Sequence, residues 1–420
     1  MESSFGSKPA DDAPARVEVK DLAELATAEW STYIEALLPL AGRLVPQLLD
    51  AQDEQIRREF YRNLFSQLVT AYVGLLYVDP QHPDFYPFAT IMSAYAGANP
   101  DQGYAMCPIE DVGVYRISGY RGTVKRVDVQ IGTGSFFSRG VMDAQKLGLT
   151  LANYDFDALE IGSDGFVDVI LSPARPENYS GNWLQLHPKA TYLLLRQTSY
   201  DWIGEVDGRF SIERLDRAAA KPRPTAKSLD ENLRQLVLWT EGWTQLSIAF
   251  AREIYREQGI NQIRYKDLTE YGELLTQKYA YGGFDLAADE ALIIEVQVPV
   301  PCRYWSVHLM DDASFTLDWY NRQTHLNGHT AIVDTDGFVR IVVSAVDPGV
   351  PNWLDSMGYR RGVMQVRWER CERYPDHIVT KIKVADVRQH LPPATSVVSP
   401  EEREAAIRMR RRGALMRKRW

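Results

Sequence analysis

Two similar stretches decide the fold of this chain: DGFVDVILS at residues 164–172 and DGFVRIVVS at residues 336–344. Their Asp, Gly, Phe, Val and Ser residues are identical at a constant offset of 172. An NWL tripeptide follows each stretch, at an offset of 170, and an arginine-containing strand follows that, at an offset of 171. Matches that keep their order at nearly one offset indicate an internal repeat. The matched residues are Asn182-Trp183-Leu184 with Asn352-Trp353-Leu354, and Arg196 with Arg367.

The segments around both stretches predict β-sheet. They are short, alternate with a period of two, contain many β-branched and aromatic residues, and are bounded by Gly, Asn, Asp or Pro, a pattern typical of antiparallel sandwiches. We therefore expect an α+β fold with two related antiparallel β-sandwiches and helical segments before and between them. The predicted organisation is a loose tail (1–16), a helical segment (17–78), a first sandwich (79–216), a helical linker (217–280), a second sandwich (281–393) and a basic C-terminal helix (394–420).

Four helices are predicted outside the C-terminal segment, and two of them follow the tail within residues 17–78. Apolar residues recur every three or four positions from Ile56 to Leu75, which indicates one apolar stripe on an amphipathic helix. Ser228 and Glu231 have the spacing of a capping box and predict the start of a long helix that reaches about Gln258. A further helix is expected over residues 266–278.

Charge and composition exclude some classes of partner. The chain has 420 residues, and its 47 Lys and Arg against 56 Asp and Glu give a net charge of −9, which disfavours a general polyanion binder. No apolar run long enough for a membrane span occurs. Neither nucleic acid nor a membrane is expected as a partner, and a homo-oligomer stays possible. The 22 Tyr and 10 Trp supply many amphipathic rings for ligand contacts or for the core.

The three cysteines predict free thiols. Cys107, Cys302 and Cys371 are odd in number and widely separated, so a disulfide framework or a CxxC metal site is not indicated. Free thiols fit a reducing compartment, and the N-terminus has no basic-then-apolar signal pattern. These observations predict a cytoplasmic location.

The C-terminal segment is basic in an acidic chain. Residues 401–420 contain eight Arg or Lys against three Glu. Such a helix is expected to dock on the acidic body or on a partner subunit, with Trp420 as an apolar anchor. A membrane surface or RNA is less favoured because its apolar face is narrow.

The chain resembles a large bacterial family of unknown-function proteins built from jelly-roll-type β-sandwich domains. The resemblance rests on RYWSVHLMDD (303–312), DTDGFVRIVVS (334–344), PNWLDSMGY (351–359) and GVMQVRWERC (362–371). Four earlier segments, YVDPQHPDFYPF, NPDQGYAMCPI, VYRISGYRGT and GNWLQLHP, look like the N-terminal part of longer members. The resemblance implies the jelly-roll fold and brings no reaction. Many members are exported, so it carries no compartment to this chain.

Strand alternation in the second sandwich selects candidate catalytic residues. Trp305, Val307 and Leu309 should face the core, whereas Tyr304, Ser306 and His308 share the opposite face. That second face either lines a ligand surface under the helices or forms an inter-domain contact. If Arg367 on the facing strand shares the cavity, His308, Arg367 and Tyr304 would supply a base, an anion clamp and a phenolic donor.

The remaining candidates are rings and amides near this set. Arg196 and Arg367 occupy matching repeat positions, and a structural pairing with carboxylates is favoured for Arg196 and left open for Arg367. The NWL elements are expected to be repeated structural corners, as are the DG turns. The candidate substrate-binding residues are Trp319, Tyr320, Asn321, Gln365 and Trp353.

A metal site is not predicted. His325 and His329 are four residues apart, but Asn327-Gly328 between them predicts a two-residue hairpin in which the imidazoles point to opposite faces. No third ligand follows at a recognisable spacing. The sequence also lacks the GxGxxG, Walker and GxSxG motifs in their required contexts, so no cofactor is expected.

These observations lead to two hypotheses of different classes. The first is a cofactor-independent lyase, isomerase or hydrolase that acts on an aromatic or hydrophobic small molecule, for example in the catabolism of plant-derived aromatics. The second is a carbohydrate-binding or scaffold protein that presents Trp183, Trp319 and Trp353 to a sugar.

Overall fold

The computed structural model describes residues 28–93, 97–134, 148–269 and 271–417. The predicted tail at residues 1–16 and the predicted anchor Trp420 lie outside these ranges. No helix within them is long and apolar enough to span a bilayer. The described chain forms two β-sandwiches with helices before, between and after them, so the predicted α+β class is confirmed.

The described residues contain five α-helices. The predicted amphipathic helix is α3, and its N-cap Asp53 accepts a hydrogen bond from the Ile56 N–H. The N-cap of the long linker helix α4 (Ala226–Glu257) is Thr225, three residues before the predicted cap, and its hydroxyl accepts from the Ser228 N–H. The helices are α1 (Trp30–Leu37), α2 (Leu40–Leu44), α3 (Glu54–Tyr72), α4 (Ala226–Glu257) and α5 (Pro400–Met416).

The first sandwich consists of a five-stranded and a four-stranded sheet. Apolar residues from the inner faces of both sheets form one core cluster, as period-two alternation requires. The five-stranded sheet has the order β1 (Tyr86–Pro87), β2 (Gln102–Pro108), β8 (Tyr192–Thr198), β4 (Arg126–Gly134) and β5 (Gly148–Asp155). The four-stranded sheet has the order β7 (Asn182–Gln185), β6 (Phe166–Ser172), β3 (Tyr115–Tyr120) and β9 (Arg209–Arg214).

The second sandwich repeats this topology strand for strand. Its five-stranded sheet has the order β10 (Arg264–Lys266), β11 (Gln277–Asp285), β17 (Arg361–Cys371), β13 (Cys302–Met310) and β14 (His325–Asn327). Its four-stranded sheet has the order β16 (Trp353–Asp355), β15 (Phe338–Ser344), β12 (Glu290–Gln297) and β18 (Ile378–Lys383). In both domains the NWL strand pairs in parallel with the strand that follows the DG turn, whereas the other strand pairs are antiparallel.

Two predictions of local structure were wrong. The helix expected over residues 266–278 is absent from the described residues 266–269 and 271–278, which lie between strand β10 and the start of β11. Asn327-Gly328 forms no hairpin: β14 pairs back onto β13, and Asn327 Oδ1 caps a turn by accepting from the His329 and Thr330 N–H groups. Asn can stabilise a turn through its side chain as well as through its backbone conformation.

The prediction of three free thiols was wrong for two of them. Cys302 and Cys371 face each other across β13 and β17 and form a disulfide, whereas Cys107 is a buried free thiol. The pairing joins residues 69 positions apart in sequence, which no short-range spacing rule indicates.

The two NWL elements are structural corners, as predicted. The Asn352 side chain accepts from the Ile332 N–H at 2.8 Å and donates to the Ile332 carbonyl at 2.7 Å. Asn182 forms the same pair of bonds with Glu160, at 2.9 and 2.8 Å. The following Trp donates its indole N–H to the serine that ends the DG strand, at 2.9 Å in the first domain and 3.0 Å in the second.

The outer faces of the two five-stranded sheets lie against each other. Arg126 on β4 forms an ion pair with Glu369 on β17, and Arg303 on β13 forms one with Asp155 on β5 at 2.6 Å. Helix α4 packs against both sheets: its central part contributes to the cluster that contains Tyr192 and Leu194, and its last turns contact β11 and β17. Any site on these faces is therefore shared by the two domains.

We predict that Asn352→Ala destabilises the protein more than Asn182→Ala does. Both changes orphan one N–H and one carbonyl, but Asn352 is buried and Asn182 is half-buried, so water compensates less at Asn352. The expected loss for Asn352→Ala is about 1–3 kcal/mol in the free energy of urea-induced unfolding. Equal and negligible losses for the two variants would contradict the structural role of the corners.

Candidate functional site

A cavity of about 160 Å³ lies where the two five-stranded sheets and helix α4 meet. Both sandwiches contribute to its wall, together with Leu268 and residues 271–274, which precede β11. Aromatic rings and two arginines dominate the lining. Its principal residues are Tyr104, Tyr192, Tyr271, Tyr279, Tyr281, Trp243, Phe250, Arg196, Arg367, Gln130, Gln365, Ser247 and Glu273.

Arg367 and Gln365 line this cavity, as the alternation of β17 predicts. The Arg367 guanidinium donates to the Gly97 carbonyl at 2.5 Å, to Gln365 Oε1 at 2.9 Å and to His308 Nδ1 at 2.9 Å. Gln365 also donates to the Tyr281 hydroxyl. Within the described residues Arg367 has no carboxylate partner. The structural ion pair, which the sequence left open for Arg367, is therefore not formed among these residues.

His308 lies behind Arg367 and is fully buried. Because a guanidinium can only donate, His308 Nδ1 must accept and Nε2 must carry the proton. Burial and the neighbouring Arg367 hold the pKa of His308 well below its usual value. The imidazole is therefore neutral, and its lone pair is occupied by Arg367, an arrangement that suits a positioning residue better than the predicted base.

Tyr304 contacts the other domain and is not part of the cavity lining. Its hydroxyl donates to Asp101 Oδ2 at 2.8 Å and accepts from Asn99 Nδ2 at 2.8 Å. Burial and the Asp101 carboxylate raise the pKa of Tyr304 well above its usual value, so the phenol stays protonated. The face that contains Tyr304 was expected either to line a ligand surface or to form an inter-domain contact, and Tyr304 forms the inter-domain contact.

Asp101 collects four hydrogen bonds on one fully buried carboxylate. Besides Tyr304, the donors are the Trp202 indole at 2.8 Å, Asn327 Nδ2 at 2.8 Å and His325 Nε2 at 2.9 Å. Burial raises the pKa of Asp101, but His325, Tyr304 and Asn327 outweigh it, so the pKa lies below its usual value. Three of the four donors come from the second sandwich.

Helix α5 closes this cluster from the outside. Arg410 donates to the Trp319 carbonyl at 2.6 Å and to His325 Nδ1 at 3.2 Å, and its guanidinium lies 4.6 Å from the Trp202 ring centre. Burial lowers the pKa of Arg410 to about 10, so the group stays cationic near neutral pH. The basic C-terminal helix therefore docks on the body of its own chain, one of the two predicted options.

His325 and His329 do not converge. His325 is buried in the Asp101 cluster, whereas the His329 side chain is about half exposed and its Nε2 lies 4.0 Å from Asp201 Oδ1. Among the described residues no group of three or more His, Cys, Asp or Glu side chains is arranged to hold a metal ion.

The other predicted substrate-binding residues are dispersed. Trp319 and Tyr320 line a second, smaller cavity of about 120 Å³ beneath helix α5, together with Trp202 and Arg417. Asn321 is exposed and bonds Asp318, and Trp353 is buried in the corner of the far sheet under Arg403. Of the candidate substrate-binding residues, Gln365 is the one that the structure brings to Arg367.

Sequence reasoning missed the tyrosines that face the two arginines. Tyr104 on β2 lies opposite Arg196, and Tyr279 on β11 lies opposite Arg367, with each guanidinium 6.0 Å from the ring centre of its tyrosine. The sequence contains a pattern that indicates these tyrosines, because QGYA at residues 102–105 matches QKYA at residues 277–280 at an offset of 175. The offset differs from 172 because the intervening loops differ in length, which hid this part of the repeat.

Comparison with known proteins supports the fold and leaves the reaction open. A family described as a protein of unknown function, DUF1214, matches residues 141–199 and 276–366, one segment in each sandwich. None of the curated proteins matches the chain. The chain is similar to an uncharacterized protein from Burkholderia cenocepacia, with 27% identity, a TM-score of 0.77, and coverage of 85% of this chain and 97% of that one.

Two more distant solved structures also align. The VPA0106 protein from Vibrio parahaemolyticus is 12% identical, with a TM-score of 0.43 over 76% of this chain and 98% of that one. A salicylate 1,2-dioxygenase from Pseudaminobacter salicylatoxidans is 10% identical, with a TM-score of 0.17 over 78% and 84%. These scores are too low to support a conclusion about fold or chemistry.

We predict that Asp101→Asn costs at least about 2 kcal/mol of unfolding free energy at neutral pH, because an amide nitrogen would face one of the four donors. Since the folded pKa of Asp101 lies below its unfolded value, the carboxylate stabilises the fold above about pH 4 and loses this effect as the pH falls through the folded pKa. Urea titrations at several pH values should show the two proteins converging in acid. Asp164→Asn, at an exposed turn that Asn also stabilises, is the control.

Proposed function

We propose that the protein binds a small aromatic or hydrophobic molecule in the cavity between its two sandwiches. The observation that carries this proposal is the wall of the cavity, which combines five tyrosines with Trp243 and Phe250. Such rings offer large apolar contact area together with polar edges, and enclosed aromatic pockets with a few polar groups are typical of small-molecule sites.

The size of the cavity favours a ligand with one ring. An engineered protein cavity of about 150 Å³ accepts benzene, and this cavity measures about 160 Å³. Trp243 and Tyr281 are almost completely buried at its wall, so a bound ring would contact side chains that water scarcely reaches.

Catalysis by this protein stays a prediction, and the residue that would act as the base differs from the one expected from the sequence. The cofactor-independent lyase, isomerase or hydrolase was expected to use His308 as a base, yet His308 Nδ1 accepts from Arg367. Glu273 is the one carboxylate in the described lining of the cavity and would have to act as the base in such a reaction. Product analysis of the same mixtures that are used for binding tests this.

The alternative of a carbohydrate platform has less support. Trp319 and Trp353 are buried, and the indole of the half-buried Trp183 bonds Ser172. Sugar platforms need exposed, coplanar rings, and none of the three has that exposure.

The cytoplasmic location also stays a prediction. It was based partly on three free thiols, and the Cys302–Cys371 disulfide weakens that argument because disulfides persist in oxidising compartments.

We predict that Ser247→Leu weakens the binding of small aromatic molecules. Ser247 is buried on α4 at the cavity wall, so the larger side chain would occupy the space of the ligand. Tryptophan fluorescence and calorimetric titration with benzoate and other one-ring compounds should show saturable binding to the unmodified protein and at least about tenfold weaker binding to the variant.

The matched control is Ser211→Leu, which adds the same side chain at an exposed position of β9. It should bind as the unmodified protein does. Thermal unfolding of both variants shows whether each is folded. Binding that persists unchanged in a folded Ser247→Leu variant would locate the ligand elsewhere and overturn the proposal.

A further inference from the structure

The two cavity arginines are equivalent by repeat and unequal in their bonding. Arg196 on β8 and Arg367 on β17 occupy the same position in the two sandwiches, each opposite a tyrosine on the neighbouring strand. A duplicated position would be expected to keep the same partners if its role were only structural. The environments of the two guanidinium groups have instead diverged.

Arg367 is held by three partners within the protein. Gln365, two residues before it on β17, and His308 on β13 both accept from its guanidinium, and the Gly97 carbonyl accepts a third bond. The group is buried, and these acceptors satisfy most of its donor capacity.

Arg196 lacks every one of these acceptors. The residue equivalent to Gln365 is the apolar Leu194, and the residue across from Leu194, where the second sandwich has His308, is Gln130. Gln130 donates to Thr150, Tyr192 and the Gly272 carbonyl and does not bond Arg196. In the described part of the chain the Arg196 guanidinium forms no hydrogen bond, although the residue is 92% buried and Nη1 is inaccessible to solvent.

Arg196 has one long ion-pair contact in the described part of the chain, with the buried Asp128. Asp128 Oδ1 lies 3.9 Å from Arg196 Nη1, beyond hydrogen-bond distance, while Asp128 Oδ2 lies 3.0 Å from Arg126 Nε. Arg126 also pairs with Glu369, so this one arginine engages both carboxylates. The structural pairing favoured for Arg196 from sequence exists, therefore, only as a long contact.

The cavity lining, which does not include Asp128, has more positively than negatively charged side chains. It contains two guanidinium groups against the single carboxylate of Glu273, which accepts from Thr269 at an exposed contact. A buried guanidinium without hydrogen bonds is costly, and a carboxylate that forms two parallel N–H···O bonds compensates it best.

We propose that the ligand is an aromatic carboxylate whose carboxylate group docks on Arg196 while its ring contacts the tyrosines of the cavity. This inference rests on the proposed function and adds the charge of the ligand and the residue that recognises it. Arg367 then acts as a positioning residue that holds Gln365 and, through it, the Tyr281 hydroxyl. The two equivalent arginines of the repeat therefore have different roles, ligand binding for Arg196 and positioning for Arg367.

Benzoate and benzamide test the inference because they have nearly the same shape and differ in charge. The unmodified protein should bind benzoate at least about tenfold more tightly than benzamide. Arg196→Met should remove this preference by weakening benzoate at least about tenfold and leaving benzamide nearly unchanged. Arg209→Met, at an exposed arginine of β9, is the matched control and should keep the preference.

The two failures are distinguishable. Equal affinities of the unmodified protein for benzoate and benzamide, or a benzoate preference that survives in Arg196→Met, would overturn the anion site and leave small-molecule binding intact. Absence of binding of both probes at millimolar concentration would overturn the proposed function and this inference together.

Thermal unfolding of the unliganded protein gives a readout that needs no ligand. Arg196→Met should keep or raise the melting temperature, because it removes a buried charge for which the described residues provide no hydrogen-bond acceptor. Arg367→Met should lower it, because His308, Gln365 and the Gly97 carbonyl lose a donor. A drop for Arg196→Met as large as that for Arg367→Met would mark Arg196 as structural and contradict the inference.

Discussion

The approach of the two sandwiches depends on one buried carboxylate. Asp101 comes from the first domain, and Tyr304, His325 and Asn327 of the second domain donate to it. A carboxylate away from water is tolerated only when its oxygens are fully hydrogen-bonded, so the second domain has few positions relative to the first that satisfy it. The cavity is a gap between the same two sheets, and its shape follows from this constraint.

The repeat shows which parts of a duplicated sandwich can change. The inner faces and the corners are constrained on all sides: Asn182 and Asn352 make the same two backbone hydrogen bonds, with lengths that agree within 0.2 Å. The outer faces of the five-stranded sheets, by contrast, pack against the other domain, so equivalent positions on them have different neighbours. Leu194 and Gln365 differ there, so Arg196 lacks the side-chain acceptor that Gln365 provides for Arg367.

Sequence alone gave the architecture and part of the site. Alternation in β13 and β17 correctly divided core residues such as Val307 and Val366 from the polar face, because the period of a strand is local information. It could not assign Tyr304 and Arg367 to different environments, since that depends on how the second sheet faces the first. The Cys302–Cys371 pair was missed for the same reason, as the pairing of distant strands sets it.

The contacts of helix α5 and the residue after it affect when the interface between the sandwiches is completed during synthesis. Arg410 contacts His325, and Arg417 donates to the carbonyl groups of Pro100 and Asp101, so residues more than 300 positions apart meet at the domain interface. During synthesis each sandwich can fold as its own strands emerge, but the side of the Asp101 cluster that Arg410 and Arg417 cover stays open to water until residue 417 has left the ribosome. This cover is therefore the last part of the interface to form, after both sandwiches have folded.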